Sequence, residues 1–282
     1  MRFVTFEHDA HRHAGVLIED HVISLQATGF TQLLEVLRGG ADALQKVADF
    51  ISGPRTRIPL ATVKLCAPIP DPPKILCMGL NYRDHAEEAR LEIPKYPVMF
   101  PKYANTVIGS GDNIVLPKNS RKPDYEAELG FVIGRRARHV RAVDWRDYVF
   151  GYMNCNDVSA RDFQMAVSQW TMGKNFDTFA PMGPYLVTAD EVPDPHNLAI
   201  TLTLDGETMQ SSNTRELIFK IPETVAFLSS VMTLEPGDLI LTGTPAGVGF
   251  GRKPPRWLTP GAEVIVHVEG LGQLRNVCVE EI

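Results

Sequence analysis

Short runs of strand-forming residues, separated by Gly, Pro and Asp, follow one another from about residue 73 to the end of the chain. The clearest runs are KILCMG, NIVLP, AELGFVIG, LAITLTLDG and EVIVHVEG. Such runs are typical of β-strands bounded by turns. They do not alternate regularly with helical segments, and no GxGxxG motif follows a strand, so a Rossmann dinucleotide site is disfavoured. The pattern therefore predicts an α+β fold that is rich in β-structure.

The first 70 residues have a different organisation. Short apolar runs alternate with polar turns up to about residue 25, and a helical pattern follows over residues 30–51, interrupted at Gly39 and Gly40. The segment 66–75 contains four prolines and can form neither a helix nor a central strand. We therefore predict a small N-terminal α+β domain over 1–70 and a larger catalytic domain over 71–282.

Composition limits the classes of partner. The chain has 282 residues and a formal net charge of −6, which predicts no nucleic-acid partner and no membrane partner. The first residues do not resemble a secretory signal, so a cytoplasmic location is expected. The four cysteines are scattered without metal-site spacing and are predicted to be buried thiols.

The segment PDYEAELGFVIG, residues 123–134, carries the most chemical information. A strand here would turn its apolar odd positions, from Tyr125 to Ile133, towards the core and would place Glu126 and Glu128 together on the opposite face. Two carboxylates on one face repel unless a cation lies between them. Either this face is a solvated acidic surface or the pair binds a hard divalent ion.

A third carboxylate favours the metal interpretation. Asp157 follows in the segment GYMNCNDVSARDFQ, at the predicted end of a strand that leads into a helix. Three carboxylates without His or Cys favour Mg²⁺ or Mn²⁺, with Ca²⁺ as an alternative, over Zn²⁺.

A second group of residues suggests acid–base chemistry. In GLNYRDHAEEA, a helix capped by Asp84 would place His85 and Glu88 on one face, three residues apart. A carboxylate in that position can orient an imidazole as a general base. An exposed helix with no catalytic role has the same pattern, and the segment by itself does not separate the two.

Three further segments carry groups that could bind a substrate. On a helix, Arg161 and Gln164 would share a face with Asp157; alternatively they form a helix cap and a surface salt bridge. Lys174 is a lone cation among aromatic and turn residues, and a surface lysine fits its surroundings equally well. The glycine-rich turn 241–251 could offer a Thr244 or Thr242 hydroxyl to an anion, or it could be a plain loop.

Together these segments resemble the fumarylacetoacetate hydrolase family over nearly the whole chain, most densely from about residue 73 to 282. The matching blocks are ILCMGLNYRDHAEE, YEAELGFVIG, NDVSARDFQ, GKNFDTFAPMGP, LEPGDLILTGTPAGVG and VEGLGQLRN. The resemblance implies a mixed β-roll catalytic domain, commonly homodimeric. The fourth acidic metal ligand of eukaryotic fumarylacetoacetases has no evident counterpart, so the chain looks more like the shorter prokaryotic acylpyruvase and diketo-acid hydrolase branch.

The resemblance also implies roles for individual residues. By match, Glu126, Glu128 and Asp157 would hold Mg²⁺ or Mn²⁺, and His85 with Glu88 would activate water on a mobile lid. The implied substrate contacts, among which Lys174 would also neutralise developing oxyanion charge, are Arg161, Gln164, Lys174 and Thr244.

The function implied in this way is metal-dependent hydrolysis of a carbon–carbon bond in 2,4-diketo acids, through a metal-bound pyruvate enolate. Acylpyruvates, fumarylpyruvate and diketo-deoxy sugar acids are the substrates considered. Oxaloacetate decarboxylation and the hydration or isomerisation of 2-hydroxydienoates remain alternatives at the same site. A non-catalytic, metal-stabilised module that binds small acids is the alternative from another class.

Overall fold

The computed structural model describes residues 1–282 and contains nineteen strands and five helices. The helices are α1 (Leu33–Ser52), α2 (Arg83–Ala89), α3 (Arg161–Gln164), α4 (Thr171–Lys174) and α5 (Ile221–Val231). The strands are β1 (Arg2–His8), β2 (His11–Ile18), β3 (His21–Ser24), β4 (Ile58–Pro59), β5 (Lys64–Leu65), β6 (Ile75–Gly79), β7 (Val98–Lys102), β8 (Val107–Ile108), β9 (Asn113–Leu116), β10 (Pro123–Asp124), β11 (Ala127–Ile133), β12 (Val149–Asn156), β13 (Ser159–Ala160), β14 (Ala180–Thr188), β15 (Ala199–Leu204), β16 (Glu207–Asn213), β17 (Leu239–Leu241), β18 (Glu263–Val268) and β19 (Gln273–Glu280). The α+β, β-rich fold is as predicted.

The strands form two large sheets. The larger sheet has the order β4-β3-β2-β1-β14-β12-β11-β17-β6-β7, with β5 beside β1 and β8 beside β14. The smaller sheet has the order β16-β15-β18-β19-β9, and β10 pairs with β13 separately. Most neighbours are antiparallel, whereas β17 and β6 pair in parallel, Leu239 opposite Ile75. The mixture of both pairings agrees with a mixed β-roll.

The larger sheet has an apolar layer on each of its faces. One hydrophobic cluster joins β11 and β12 to the smaller sheet, through residues such as Phe131 and Val266. A second cluster joins the opposite face to α1, through residues such as Val132 and Val36. Both faces of β11 are therefore buried, and all seven of its residues are inaccessible to solvent. The interpretation of this segment as a half-exposed strand with a solvated acidic face is thus wrong.

The N-terminal residues continue the larger sheet. Strand β1 pairs antiparallel with β14, Arg2 opposite Val187 and Phe3 opposite Leu186. The helical pattern corresponds to α1, which is kinked at Gly40 as expected, and the proline-rich segment is an irregular connection that ends where β6 begins. A domain boundary near residue 70 stays a prediction, since the two parts share one sheet.

Two simpler expectations can be compared directly. All four cysteines are free and buried, as predicted. None of the helices has the length and apolar character required to span a membrane.

Candidate metal centre and active site

The register between β11 and β12 brings the three acidic residues together. The strands pair antiparallel with Glu128 opposite Cys155, so the residues just before β11 lie beside those just after β12. The Asp157 amide donates to the Glu126 carbonyl at 2.9 Å. The predicted strand is shorter than expected, because Glu126 lies one residue before β11. The pairing nevertheless places Asp157 next to it.

The three carboxylates form a compact and buried donor set. Ligand oxygens of Glu126, Glu128 and Asp157 all lie within 4.8 Å of one another. The three residues are 6%, 1% and 0% exposed, so water cannot screen their mutual repulsion. Buried charges of one sign require counterions, and oxygen donors without nitrogen or sulfur suit a hard ion. The residues present therefore fit Mg²⁺ or Mn²⁺, with Ca²⁺ as an alternative.

Lys174 and Arg161 are among the cations that contact this donor set. Lys174 Nζ donates to Glu126 Oε2 at 2.8 Å and to Asp157 Oδ2 at 2.6 Å, and Arg161 Nη1 lies 2.6 Å from Glu126 Oε1. Burial opposes ionisation of Glu126, but the charges of Lys174 and Arg161 outweigh it and lower the pKa of that carboxyl. Lys174 is 2% exposed, so its alternative interpretation as a surface lysine is wrong.

Glu128 has a different environment. Its Oε2 accepts a 2.6 Å hydrogen bond from the backbone amide of Gly243, and no cationic side chain forms an ion pair with it. Burial raises the pKa of Glu128 well above its ordinary value, and the charges of Asp157 and Glu126 raise it further. Glu128 is therefore the member of the triad whose carboxylate has no direct ion pair with a cationic side chain.

Arg161 and Gln164 lie on α3 and reach the triad from one side. The helix begins at Arg161, so Asp157 precedes it and the expectation that all three share a helix face is wrong; the short strand β13 lies between Asp157 and the helix. The guanidinium Nη1 donates to Gln164 Oε1 at 2.8 Å, while Nη2 is buried and has no protein partner. A buried donor without an acceptor is costly, so Nη2 is suited to bind a ligand oxygen.

His85 and Glu88 lie on α2. The His85 Nδ1 atom is 3.4 Å from Glu88 Oε2, and both side chains are partly buried. The expected N-cap at Asp84 is wrong, because α2 begins at Arg83 and Tyr82 occupies the cap position. Asp84 instead accepts a 2.5 Å hydrogen bond from Ser212 Oγ, which ties α2 to the smaller sheet.

The two threonines of the glycine-rich turn 241–251 have different environments. The Thr242 hydroxyl donates to the Leu129 carbonyl at 2.9 Å and is thereby used inside the sheet. Thr244 lines the cavity described below, and its Oγ1 accepts from Gln210 Nε2 at 2.8 Å. Thr244 is therefore the threonine that remains a candidate for substrate binding.

A cavity of about 370 Å³ unites these groups. Seven of the nine predicted site residues line it; the other two, Glu88 and Asp157, contact His85 and Lys174 directly. The rest of the wall is almost wholly apolar and consists of Met78, Gly79, Leu80, Ala89, Leu91, Val98, Phe100, Met165, Trp170, Val248 and Phe250. The cavity has a charged floor and an apolar mouth, the usual composition of a small-molecule site. The roles of its residues stay predictions.

Sequence reasoning missed two charged residues beside this floor. Lys102, at the end of β7, donates to Asp157 Oδ1 at 2.5 Å, and Asp124 accepts from Arg161 Nε at 2.8 Å. Both are buried. Asp124 could have been noticed because it lies in the acidic segment 123–134. Lys102 could have been noticed because it is a lone cation at the end of an apolar strand.

The fold, the acidic triad and the cavity together define a candidate metal-binding enzyme site. Residues 74–279 match the family model described as Fumarylacetoacetate (FAA) hydrolase C-terminal, and the chain belongs to the fumarylacetoacetate hydrolase family.

Curated relatives are similar over most of the chain. The mitochondrial oxaloacetate tautomerase Fahd2a of Rattus norvegicus is 44% identical over 248 residues, which cover 88% of this chain and 79% of the relative. The mitochondrial oxaloacetate tautomerase FAHD2A of Bos taurus is 43% identical over 288 residues, 99% of this chain and 92% of the relative. Proteins named as tautomerases thus share this sequence pattern.

Solved structures share the whole fold. A fumarylacetoacetate hydrolase from Exiguobacterium antarcticum superposes with a TM-score of 0.88 at 34% identity, with both chains fully covered. A maleylpyruvate hydrolase from Sphingobium sp. SYK-6, solved with manganese(II) and pyruvate, has a TM-score of 0.86 at 31% identity, again with both chains fully covered.

Proposed function

We propose that this protein interconverts the keto and enol forms of small 2-oxo acids, with oxaloacetate as the first substrate to test, and that it requires a divalent ion. The observation that carries this proposal is the arrangement of the cavity floor. A buried triad of carboxylates suited to a hard ion lies beside a guanidinium nitrogen that has no protein partner. The names of the curated relatives support the choice of oxaloacetate.

Glu126, Glu128 and Asp157 would hold the ion, and the manganese in the maleylpyruvate hydrolase structure supports Mn²⁺ or Mg²⁺. When bound, the ion supplies Lewis acidity towards the oxygen atoms of a 2-oxo acid.

Arg161 provides the contact for the substrate carboxylate. Its Nε and Nη1 atoms bind Asp124, Glu126 and Gln164, so the guanidinium is held by three side chains and Nη2 alone lacks a protein acceptor. A fixed guanidinium recognises a carboxylate with little further loss of side-chain freedom. Thr244, on the same cavity wall, offers a hydroxyl to a second oxygen of the acid.

His85 is the base. Since Nδ1 faces Glu88, Nε2 is the nitrogen that takes the proton from carbon 3 of the keto acid. Protonation of the oxygen on carbon 2 then completes the enol, and the reverse transfers regenerate the keto form. The negative charge of Glu88 stabilises the imidazolium that forms during the transfer. Lys174, fixed between Glu126 and Asp157, places a positive charge on the cavity floor, where it offsets the charge of an enolate.

Hydrolysis of a carbon–carbon bond in 2,4-diketo acids is the second candidate function. The structural similarity to a maleylpyruvate hydrolase that holds pyruvate favours it. The same residues would act, except that His85 would take its proton from water, which attacks carbon 4. The bond between carbons 3 and 4 would then break, a carboxylic acid would form from carbon 4, and protonation of carbon 3 would give pyruvate. Acylpyruvates, fumarylpyruvate and diketo-deoxy sugar acids are the substrates proposed for this reaction.

Ultraviolet spectroscopy separates the two reactions. Decay of the enol of oxaloacetate should be accelerated by wild-type protein with Mn²⁺ or Mg²⁺, and acceleration should be largely lost in His85→Ala. The exposed histidine His11 provides the matched control, His11→Ala. Cleavage of acetylpyruvate without acceleration of tautomerisation would replace the first proposal by the second, and release of CO₂ from oxaloacetate would identify the decarboxylase. If the protein is inactive on every acid, the remaining alternative is the non-catalytic module that binds small acids.

We also keep two further expectations as proposals. The protein is a homodimer, and it acts on a small keto acid without a nucleic-acid or membrane partner. The cytoplasmic location expected from the sequence is weakened by the mammalian relatives, whose names specify mitochondria.

A further inference from the structure

Six buried charged side chains form a continuous chain of alternating sign along the cavity floor. Successive partners are joined by contacts of 2.5 to 2.8 Å between nitrogen and oxygen. In order, the members are Lys102, Asp157, Lys174, Glu126, Arg161 and Asp124. The four inner members are two of the three predicted metal ligands, the predicted catalytic lysine and the predicted substrate-binding arginine. The two ends touch neither the cavity nor each other, and their purpose is therefore open.

The Lys102 end controls the orientation of one metal ligand. Lys102 is 2% exposed, and its Nζ donates to Asp157 Oδ1 at 2.5 Å and to the Val158 carbonyl at 3.0 Å. The second oxygen of Asp157 binds Lys174. The carboxylate is thus held from both sides, and the backbone contact at Val158 fixes the ammonium itself.

The Asp124 end controls the guanidinium. Asp124 is fully buried and accepts four hydrogen bonds. One comes from Arg161 Nε at 2.8 Å, and the others come from the backbone amides of Tyr125, Gly249 and Phe250 at 2.9, 2.7 and 3.0 Å. Three backbone donors fix the carboxylate, and the carboxylate in turn fixes the plane of the guanidinium.

We propose that Lys102 and Asp124 are positioning residues with separate tasks: Lys102 presents Asp157 to the metal, and Asp124 presents Arg161 to the substrate carboxylate. The inference about Asp124 rests on the proposed function, whereas the inference about Lys102 requires only that the triad binds a metal. Groups that hold metal ligands by hydrogen bonds typically change metal affinity by about 10- to 100-fold when they are removed.

Two binding measurements separate the two tasks. The affinity for Mn²⁺ is measured by calorimetry on metal-free protein, and binding of pyruvate to the Mn²⁺-loaded protein is measured by paramagnetic broadening of the pyruvate methyl resonance. Lys102→Met should weaken Mn²⁺ by about 10-fold or more, with pyruvate affinity nearly unchanged at saturating Mn²⁺. Asp124→Asn should weaken pyruvate by a similar factor and leave Mn²⁺ affinity nearly unchanged.

Matched controls remove a charge from exposed ion pairs. Lys64→Met breaks the pair with Asp112, and Asp144→Asn breaks the pair with Arg141. Neither control should change either affinity. Equal losses of both affinities in Lys102→Met and Asp124→Asn would show a merely structural role and overturn the proposal. Unchanged Mn²⁺ affinity in Lys102→Met would overturn its first half.

A double-mutant cycle on metal-free protein distinguishes a direct interaction between Lys102 and Asp157 from a general loss of folding. Lys102→Gln should lower the melting temperature in the native background and lower it much less in an Asp157→Asn background, because the buried partner charge is then absent. An equal loss in both backgrounds would contradict a direct role of Lys102 at Asp157. If wild-type protein binds Mn²⁺ but no 2-oxo acid, the proposed function and the Asp124 inference fail, while the Lys102 inference is still decided by the Mn²⁺ titration and this cycle.

Discussion

The carboxylate of Glu88 accepts hydrogen bonds of 3.0 and 3.1 Å from the backbone amide of Gly247, although 159 residues separate the two in sequence. The same carboxylate contacts His85. A side chain at Gly251 would collide with it, since a Cβ atom there would lie 2.8 Å from Glu88 Cδ. These contacts join His85 and Glu88, on helix α2, to the glycine-rich turn 241–251.

The contact between His85 and Glu88 leads to predictions of different size for the two residues. A general base typically contributes 10²- to 10⁴-fold, so His85→Ala should lower kcat by about that factor. Glu88→Gln keeps a hydrogen-bond acceptor for Gly247 but loses the charge, and should reduce kcat more mildly. Steady-state kinetics on the best substrate, with Mn²⁺ affinity measured in parallel, test both variants. Unchanged kcat in His85→Ala would remove the residue from the mechanism.

Removal of the metal should abolish activity and lower the melting temperature. EDTA followed by dialysis gives the metal-free protein, and Mn²⁺ or Mg²⁺ should restore both properties, since binding to the folded state alone stabilises it. Glu128→Gln should behave differently without metal. Loss of the repulsion from Asp157 and Glu126 should leave metal-free protein at least as stable as wild type, although its affinity for Mn²⁺ falls. Full activity in metal-free wild type would contradict the site.

Gly79 should not tolerate a side chain. A Cβ atom would lie 2.3 Å from Cζ3 of Trp170, which forms the cavity wall with Phe100 at a ring distance of 5.7 Å. In Gly79→Ala the indole must move, and a displacement of about 1 Å in a site can cost up to about 100-fold in rate. We expect kcat/KM to fall by about 10-fold or more. Gly53→Ala, in a partly exposed position with ordinary backbone angles, is the control.

Trp170→Leu tests the same contact from the other side. Gly79→Ala should also lower the melting temperature, because the new methyl group displaces the indole. Trp170→Leu in the same protein should recover part of that loss, because the smaller side chain leaves room for the methyl group. An additive loss in the double variant would show that Trp170 is not what excludes the methyl group.

Glu35 should give the N-terminal part a pH-dependent stability. Hydrogen bonds from the backbone amides of Gln32 and Thr31 lower the pKa of Glu35 below its ordinary value of 4.5. The ionised form therefore stabilises the fold: this stability is complete above pH 4.5 and is lost as the pH falls through the folded-state pKa. Denaturant titrations between about pH 5 and 3 should show a flatter dependence in Glu35→Gln than in wild type. The exposed strand residue Glu207, changed to Gln, should leave the slope unchanged.

Light scattering tests the proposed homodimer. At micromolar concentration the mass should be twice the 31.3 kDa of the chain. A mass of one chain at every concentration would refute the dimer.

The sequence predicted the clustering of the three carboxylates well because a simple period locates them. Glu126 and Glu128 are two residues apart in an apolar run, and Asp157 lies where a second strand ends, so antiparallel pairing was enough to bring them together. The sequence could not predict that β11 is buried on both faces. That burial depends on α1 and on the smaller sheet, which pack on opposite sides of it.

Lys102 and Asp124 were beyond sequence reasoning for a related reason. Lys102 is 55 residues from its partner Asp157, and Asp124 is 37 residues from Arg161. Neither separation corresponds to the repeat of a helix or a strand, so only the folded structure shows that these charges are paired. The helix cap at Asp84 failed because α2 begins one residue earlier, at Arg83, so that Asp84 lies in the first turn. Its carboxylate instead binds Ser212, on a strand of the smaller sheet.

The parallel pairing of β17 with β6 has a consequence for the order in which a nascent chain acquires its site. All three carboxylates and Lys174 leave the ribosome well before residues 239–241, yet β17 lies between β11 and β6 in the finished sheet. The segment that follows β17 supplies the Gly243 amide to Glu128 and the Gly247 amide to Glu88. A partly synthesised chain therefore lacks the strand that joins β11 to β6 in the larger sheet. Contacts between residues so far apart in the sequence form late and slowly. The residues of the acidic floor are therefore synthesised first. The cavity wall that contacts them can be completed only when about the last sixth of the protein has been synthesised.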